Sequence, residues 1–211
     1  MTDHELQESS RHPVIPSSRY APARVSFVFL WLSQVSRVLA DNCLRGFIVL
    51  QAAREGLKEG EAAWHQVTVF FILPFILLAP INGALSNSLP KRSVLAAASG
   101  WCLAAALLVG LLIGPEQNSW WWCGVLALIM IGAAVYSPAR YGLLPAVAQD
   151  TRLPLARVNG WIEMGSSAAV VSGILLGLHL HSQSGAWAGF PPAVAAVLGL
   201  NLLSVLTALP V

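Results

Sequence analysis

Long apolar runs, separated by short polar or Pro/Gly-bearing stretches, make up most of the chain from residue 25 onward. A helix needs about 20 mainly apolar residues to cross the ~30 Å hydrocarbon core of a bilayer, because every backbone polar group must be hydrogen-bonded within the segment. Six segments reach that length, at residues 25–53, 66–89, 93–114, 119–139, 160–180 and 192–211. The pattern predicts an all-α polytopic membrane protein with six transmembrane helices.

The amino-acid composition favours the same environment. Of the 211 residues, 56% are hydrophobic and only 10% are charged, which leaves too few charged side chains to cover the surface of a water-soluble domain. Residues 1–24 differ from the rest, because they are polar, rich in Pro and Ser, and lack a signal-peptide pattern. We expect a disordered cytoplasmic tail at 1–24, followed by a six-helix transmembrane bundle at 25–211.

The basic residues lie mainly in connections that share one side of the membrane. That side holds Arg11, Arg19, Arg24, Lys91, Arg92, Arg140, Arg152 and Arg157, whereas the other side holds only Arg54 and Lys58. Because cytoplasmic loops carry the excess of Lys and Arg, this distribution predicts a multi-pass protein of the cell inner (cytoplasmic) membrane with a cytoplasmic N-terminus. The net charge of +2 gives no reason to expect a nucleic-acid partner.

Aromatic and histidine side chains fall at the predicted outer ends of the spans. Trp64 precedes the second span, and Trp120, Trp121 and Trp122 begin the fourth. Amphipathic aromatic rings favour the headgroup region, so we interpret these residues as membrane-interface anchors. His179 and His181, at the outer end of the fifth span, are interpreted as interfacial side chains in the same way.

The first span carries charges at membrane depth. At 100° per residue, the side chains of one polar stripe fall within an arc of roughly 80° on this helix. The stripe consists of Gln34, Arg37, Asp41 and Arg45. Asp41 has an arginine four residues away on either side, so one arginine can compensate its charge while the other stays available for an anionic group. The stripe therefore predicts either a substrate or ion pathway or a buried ion network that locks helices together.

The connection after the second span reads GALSNSLPKR from Gly83 to Arg92. It resembles the signature of the major facilitator superfamily between helices two and three, which is a glycine, an aspartate four residues later and then a basic pair. The chain keeps Gly83, Lys91 and Arg92 but has Asn87, Ser88 and Pro90 where the family usually has aspartate, arginine and glycine. The resemblance implies that Gly83, Asn87, Lys91 and Arg92 form a cytoplasmic gate in which the glycine permits close helix packing and the charged latch is weakened or altered. The alternative is a positive-inside loop, since a glycine followed by two basic residues at a span end is typical of one.

A second, more specific match lies at the inner ends of the fourth and fifth spans. The segments YSPARYGLLP from Tyr136 and NGWIE from Asn159 resemble SPA(K/R)YG(I/L)LP and NG-x-x-E in the lysophospholipid transporter branch of that superfamily. The branch also has an Asp-Asn pair in its first helix, like Asp41 and Asn42. The resemblance covers residues 25–211 and implies the N-terminal six-helix bundle of a major facilitator fold. Its candidate motif residues are Ser137, Pro138, Tyr141, Gly142, Pro145 and Asn159.

Two charged residues of this match are candidates for the substrate path. Pro138 can free carbonyl groups near a helix end, and Arg140 can meet a phosphate with its guanidinium fork at headgroup depth. Glu163 allows several interpretations. The first is a solvated carboxylate at a helix start, the second is a group that couples transport to a proton or cation, and the third is a partner of Arg140.

These features predict the N-terminal half of a secondary-active transporter for an amphiphilic anionic substrate, and the resemblance implies lysophospholipid. The expected partners are the bilayer, the substrate, and a C-terminal six-helix half or a second copy of the chain. The alternative is a non-transporting membrane module that anchors or feeds a lipid acyltransferase or acyl-activating enzyme.

Catalysis within this chain is not expected, because it has no nucleophile elbow, phosphate-cradling loop or His/Glu metal motif. No catalytic residue, metal site or cofactor is therefore predicted. The cysteines lie in apolar runs without a histidine at ligand spacing, and we interpret them as small core residues. They are Cys43, Cys102 and Cys123.

Overall fold

The computed structural model describes residues 23–54, 60–112, 119–183 and 192–211. Within these residues the chain forms six helices and no strand. The helices are α1 (Ala23–Arg54), α2 (Gly60–Ser88), α3 (Lys91–Leu112), α4 (Ser119–Thr151), α5 (Leu155–Ser182) and α6 (Pro192–Ala208). They correspond in order to the six predicted spans, and the chain is an all-α polytopic membrane protein. The predicted tail lies almost wholly outside the described residues.

Four of the six helices are long and apolar enough to cross a membrane by length and composition. These spans are Trp64–Ala84, Lys91–Leu112, Trp120–Thr151 and Leu155–Ser182. Helix α1 has the length but carries the polar stripe, and α6 is an apolar helix of 17 residues. Both helices pack with the four apolar helices in one bundle, and membrane crossing by α1 and α6 stays a prediction.

The helices enclose a groove on one face of the bundle. Helices α1 and α4 form its floor, and α2 and α5 contribute its two walls. Helix α3 packs behind α4, and α6 packs against α1 and α3 on the far side. Polar residues of α1 therefore face the groove, while the apolar residues of α3 and α6 complete the core and the outer surface.

Close packing of α1 on α5 depends on glycines. A Cβ on Gly173 would lie 2.8 Å from the Leu39 carbonyl oxygen, and one on Gly177 would overlap the Cys43 carbonyl oxygen. On the other helix, a Cβ on Gly46 would lie 2.5 Å from the Ile174 carbonyl oxygen. The small-residue spacing of α5 predicts such an approach, because helices with small residues four apart can bring their backbones together.

Helix α4 extends beyond the predicted boundary at residue 139 and continues to Thr151. Both Pro138 and Pro145 lie inside the helix, so proline does not mark its end. The extension is amphipathic, because its buried residues recur at helical spacing; they are Leu143, Leu144, Val147 and Ala148. Burial of this apolar face against the bundle outweighs the hydrogen bonds that the prolines remove. Arg140, counted above as a loop residue, is therefore a buried helical residue.

The turn from α4 to α5 has a left-handed residue at its centre. Arg152 has φ 56°, and its N–H donates to the Gln149 carbonyl at 3.2 Å. The Leu153 N–H donates to the Ala148 carbonyl at 3.1 Å. This pair of bonds is the Schellman arrangement, in which glycine is the usual left-handed residue. Pro154, the next residue after Leu153, is the N-cap of α5.

Two of the predicted interface residues are instead part of the core. Trp122 is 3% exposed and packs edge-on against Phe47 at 5.1 Å between ring centroids. His181 is 1% exposed, its Nε2 lies 3.2 Å from Gln51 Oε1, and its ring also meets Phe47 at 5.1 Å. The interfacial interpretation is wrong for both, because α1 covers their faces of α4 and α5. Trp120, at 63% exposed, fits the anchoring interpretation.

Candidate functional site

The groove contains a cavity of about 190 Å³ at the level of the charged stripe. Six of the residues singled out from the sequence line it: Gln34, Arg37, Asp41, Asn42, Ser137 and Arg140. Its apolar lining comes from Phe71, Phe75, Met130, Ala133 and Val170, together with Val38 and Tyr136. The cavity thus joins a polar floor to apolar walls.

The centre of the floor is a buried ion pair. Arg37 Nε lies 3.2 Å from Asp41 Oδ2, and the two residues are 2% and 6% exposed. Arg37 Nη2 contacts the Cys102 sulfur at 2.6 Å, and its guanidinium carbon lies 5.5 Å from the centre of the Tyr136 ring. Arg37 Nη1 and Asp41 Oδ1 have no hydrogen-bond partner among the described residues. The pair is neutral overall, yet each member keeps an unsatisfied polar atom in the cavity region.

The neighbouring polar residues are satisfied by protein groups. The Gln34 amide donates to Ser166 Oγ of α5 at 3.1 Å. The Asn42 amide donates to the Val38 carbonyl within α1 at 2.9 Å. The Tyr136 hydroxyl lies 3.0 Å from Ser33 Oγ, which fixes the ring beside Arg37. These bonds hold the floor of the cavity in one arrangement.

Arg140 stands at one end of the cavity and pairs with α5. Its Nη2 lies 3.1 Å from Glu163 Oε1, and the Tyr141 hydroxyl donates to the same oxygen at 3.0 Å. The guanidinium carbon lies 4.0 Å from the centre of the Tyr141 ring. Arg140 is 4% exposed, and its Nε and Nη1 have no partner among the described residues. Of the interpretations of Glu163, this geometry matches the partner of Arg140.

Arg45, the last residue of the stripe, lies outside the cavity lining. Its Nη2 donates to Thr68 Oγ1 of α2 at 2.8 Å. Two rings of α2 flank the guanidinium carbon, Trp64 at 4.4 Å and Phe71 at 4.9 Å from their centres. Phe71 also lines the cavity, so it stands between Arg45 and the central ion pair. Asp41 is therefore compensated by Arg37 and not by Arg45.

The residues of the gate motif are spread along the α2–α3 connection. A Cβ on Gly83 would meet nothing within 4 Å among the described residues, so close packing at this glycine is not seen here. The Asn87 side chain lies outside the described part of the structure. Lys91 and Arg92 are exposed in the first turn of α3. The Lys91 side chain crosses Gly142, where a Cβ would lie 2.8 Å from its Cδ and Cε.

The helix 4–5 motif residues occupy different environments. Ser137 lines the cavity, whereas Pro138 and Pro145 are within α4 and Tyr141 and Gly142 lie one turn beyond Pro138. Asn159 of α5 has a buried Oδ1 without a partner among the described residues. The motif thus contributes Ser137 to the cavity lining, Tyr141 to the contacts of Arg140 and Glu163, and Gly142 to the contact with Lys91.

Four aromatic or cysteine neighbours of the cavity or its ion pair were not singled out as site residues from the sequence. These are Tyr136, Cys102, Phe71 and Phe75. Tyr136 had a signal, because it lies one helical turn before Arg140 and opens the quoted motif. Phe71 and Phe75 are four residues apart and share a helix face, but nothing in the sequence of α2 distinguishes a groove-facing aromatic pair from a lipid-facing one. Among the described residues no group of three or more His, Cys, Asp and Glu side chains is placed to hold a metal ion.

Comparison with known proteins assigns the chain to a family. The model of the Major Facilitator Superfamily matches residues 30–211. The chain is 32% identical over 148 residues to the lysophospholipid transporter LplT of Photorhabdus laumondii, an alignment that covers 69% of this chain and 34% of that protein.

Two further relatives carry the same name. The protein from Serratia proteamaculans is 29% identical over 168 residues, 79% of this chain and 39% of the relative, and that from Yersinia pestis is 30% identical over 154 residues, 72% and 35%. The chain spans between 34% and 39% of the length of these curated relatives. No solved structure matches the chain.

Proposed function

Because the chain belongs to the major facilitator superfamily, we propose that it is the N-terminal half of a secondary-active transporter for an anionic amphiphile. The observation that carries this proposal is the lining of the groove cavity. Unpartnered guanidinium nitrogens of Arg37 and Arg140 lie beside an apolar wall that includes Phe71 and Phe75. An anionic headgroup and an acyl chain each find matching chemistry there.

Arginine suits this role because its planar fork binds phosphate through two parallel hydrogen bonds. Arg37 and Arg140 each use part of the fork on a carboxylate, Asp41 and Glu163, and keep other N–H groups for a ligand. The carboxylates hold the two guanidinium groups in place before the ligand arrives, which lowers the cost of ordering them on binding. The relatives named as lysophospholipid transporters support a lysophospholipid as the substrate.

The groove supplies one wall of a path. Major facilitator transporters bind substrate between two six-helix halves related by an axis along the membrane normal. A second six-helix half, or a second copy of this chain, then covers the groove and completes the site. The exposed basic residues near the Arg140 end, Lys91, Arg92, Arg152 and Arg157, support a cytoplasmic position for that end in the inner membrane.

The proposal is tested by reconstituting the complete transporter, this chain together with the six-helix half or second copy that covers its groove, in liposomes. A fluorescent lysophosphatidylethanolamine is followed between leaflets by extraction with albumin. Protein-containing liposomes should move the lipid faster than protein-free liposomes. A monoacylglycerol with the same acyl chain, which lacks the phosphate, should not be accelerated. Equal rates with and without the protein for the lysophospholipid would contradict the proposal.

Two substitutions test whether the substrate path runs through the groove. Asp41→Ala and Arg140→Ala should each lower the rate at least about ten-fold, because each leaves a buried charge without its partner or removes an anion ligand. Arg157→Gln, an exposed arginine outside the groove, is the matched control and should keep the wild-type rate. Protein abundance after reconstitution is measured for each variant, and wild-type rates in both groove variants would remove these residues from the path.

A further inference from the structure

Arg45 is the arginine of the α1 stripe that no carboxylate balances among the described residues. It lies eight residues after Arg37, which on an α-helix is about 12 Å along the axis. Arg37 and Arg140 each pair with a carboxylate, whereas the contacts of Arg45 are one hydroxyl and two aromatic rings. The region around Arg45 and Trp64, which adjoins the cavity through Phe71 and is here called the Trp64 end of the groove, therefore carries a net positive charge on its described side chains.

The environment of Arg45 stabilises a cation while using one of its N–H donors. Rings attract a guanidinium through their negative faces but offer no oxygen acceptor. Thr68 accepts one N–H through its oxygen, and Arg45 Nε is buried with no partner among the described residues. A half-buried arginine with an unsatisfied donor at membrane depth is costly, and such a group in a membrane helix marks a functional site by default.

The position of Arg45 connects it to the central cavity. Phe71 lies 4.9 Å from the Arg45 guanidinium carbon and also lines the cavity that contains Arg37 and Asp41. Trp64, on the other side of the guanidinium, is 37% exposed. An anion at Arg45 would therefore lie between an exposed indole and the apolar wall of the cavity, with its tail free to follow that wall.

We propose that Arg45, Thr68 and Trp64 form a second anion-binding subsite, which holds the phosphate of the amphiphile at the Trp64 end of the groove. The proposal rests on the transport function proposed above. It adds a second binding position, which the headgroup occupies before or after it binds in the central cavity. The guanidinium donates through Nε and its free N–H groups, and the Thr68 hydroxyl, whose oxygen already accepts from Arg45, donates its proton to another phosphate oxygen. The Trp64 ring shields the ion pair from water.

The test measures equilibrium binding of lysophosphatidic acid to the protein in nanodiscs, with the monoacylglycerol of the same acyl chain as the ligand that lacks phosphate. Arg45→Gln should weaken lysophosphatidic acid binding about ten-fold, since it removes a charge-assisted hydrogen-bond donor, and leave monoacylglycerol binding unchanged. Arg45→Lys keeps the charge but loses the fork, so an intermediate loss is expected. Arg157→Gln is the control with an exposed arginine removed.

Transport kinetics give a second measurement on the same variants. Arg45→Gln should raise the KM for the lysophospholipid with little change in kcat, because the subsite binds the headgroup outside the central cavity. Equal weakening of both ligands would show that Arg45 acts on structure alone and would overturn the proposal, as would wild-type binding in both Arg45 variants. If Arg45→Gln does not fold, the binding of lysophosphatidic acid and of monoacylglycerol is compared in Arg45→Lys and Thr68→Val instead.

The two proposals fail in different ways. A wild-type protein that moves no lysophospholipid contradicts transport. A wild-type protein that moves it, while Arg45→Gln and Thr68→Val bind and move it normally, contradicts the Arg45 subsite and leaves transport standing. A non-transporting protein whose lysophosphatidic acid binding still depends on Arg45 would keep the subsite as a lipid-binding site.

Discussion

The two ends of the groove each hold an arginine beside an aromatic ring, but they balance the charge differently. At the Arg140 end, the guanidinium lies against Tyr141 and pairs with Glu163. At the Trp64 end, Arg45 lies against Trp64, and the Thr68 hydroxyl is its one hydrogen-bond acceptor among the described residues. The Arg140 guanidinium is therefore held by a carboxylate, which a bound anion must displace or share. The Arg45 guanidinium is held by a hydroxyl and an aromatic ring, which do not neutralise its charge.

The backbone packing at the two ends differs as well. Near Arg45, Gly177 of α5 meets the backbone of α1 at Cys43 and Phe47, so the helices cannot separate slightly without losing this contact. Near Arg140, the three atoms nearest to a Cβ on Gly142 all belong to the flexible end of Lys91. The Trp64 end is thus built on a fixed helix–helix contact, and the Arg140 end on side chains that can rearrange.

The largest expected effect tests that difference in packing. Gly177→Ala adds a Cβ that overlaps the Cys43 carbonyl oxygen and should destabilise the protein by about 3 kcal/mol, because backbone must move to accept it. Gly142→Ala adds the same atom against Lys91 and should change stability by less than about 1 kcal/mol. Thermal unfolding in detergent, followed by circular dichroism, measures both.

Gly199→Ala is the matched control for these two variants. A Cβ on Gly199 would meet nothing within 4 Å among the described residues, so this substitution reports the helix propensity of alanine alone. Equal stability for Gly177→Ala and Gly199→Ala would mean that α1 and α5 adjust freely, and the contrast between the two ends in backbone packing would then be lost.

The next effect concerns charge. In a double-mutant cycle of Arg140→Gln and Glu163→Gln, we expect a coupling of about 1 kcal/mol, discounted because the Glu163 side chain is 44% exposed to its surroundings. The parallel cycle of Arg45→Gln and Thr68→Val should give a smaller coupling, since a neutral hydroxyl replaces the carboxylate. Unfolding free energies of the single and double variants supply both numbers, and a larger coupling at Arg45 would reverse the comparison.

Much of the fold follows from the sequence because the length of each apolar run can be read directly along the chain. The six apolar runs become six helices, and the stripe of α1 lines one groove because residues three and four apart share a helix face. Helix α4 extends past the predicted end because that end was placed where the continuous apolar run stops, before Arg140. Its helical continuation depends on burial of an apolar face against neighbouring helices, which the amphipathic spacing after Tyr141 indicates only in hindsight.

The partners of the stripe could not be derived in the same way. That Arg37 meets Cys102 of α3 and Tyr136 of α4, or that Arg45 meets Trp64 of α2, depends on how helices rotate and pack, which one sequence does not specify. Trp122 and His181 show the same limit, because their positions near helix ends suggested the membrane interface while α1 buries both. Position along the chain predicts depth in the membrane, and only packing decides the direction a side chain faces.

The smallest expected effect lies at the turn that follows the Arg140 end. Arg152 holds a left-handed backbone at φ 56°, which costs an L-residue about 1 kcal/mol relative to glycine. Arg152→Gly should therefore raise the unfolding free energy by about 0.5 kcal/mol, since glycine also gains entropy in the unfolded chain. Arg157→Gly removes the same charge from a helical position and should lower stability, so the opposite signs separate backbone strain from charge. Two changes of the same sign would show that the turn is not strained, and the adjustable character of the Arg140 end would then rest on Lys91 and Glu163 alone.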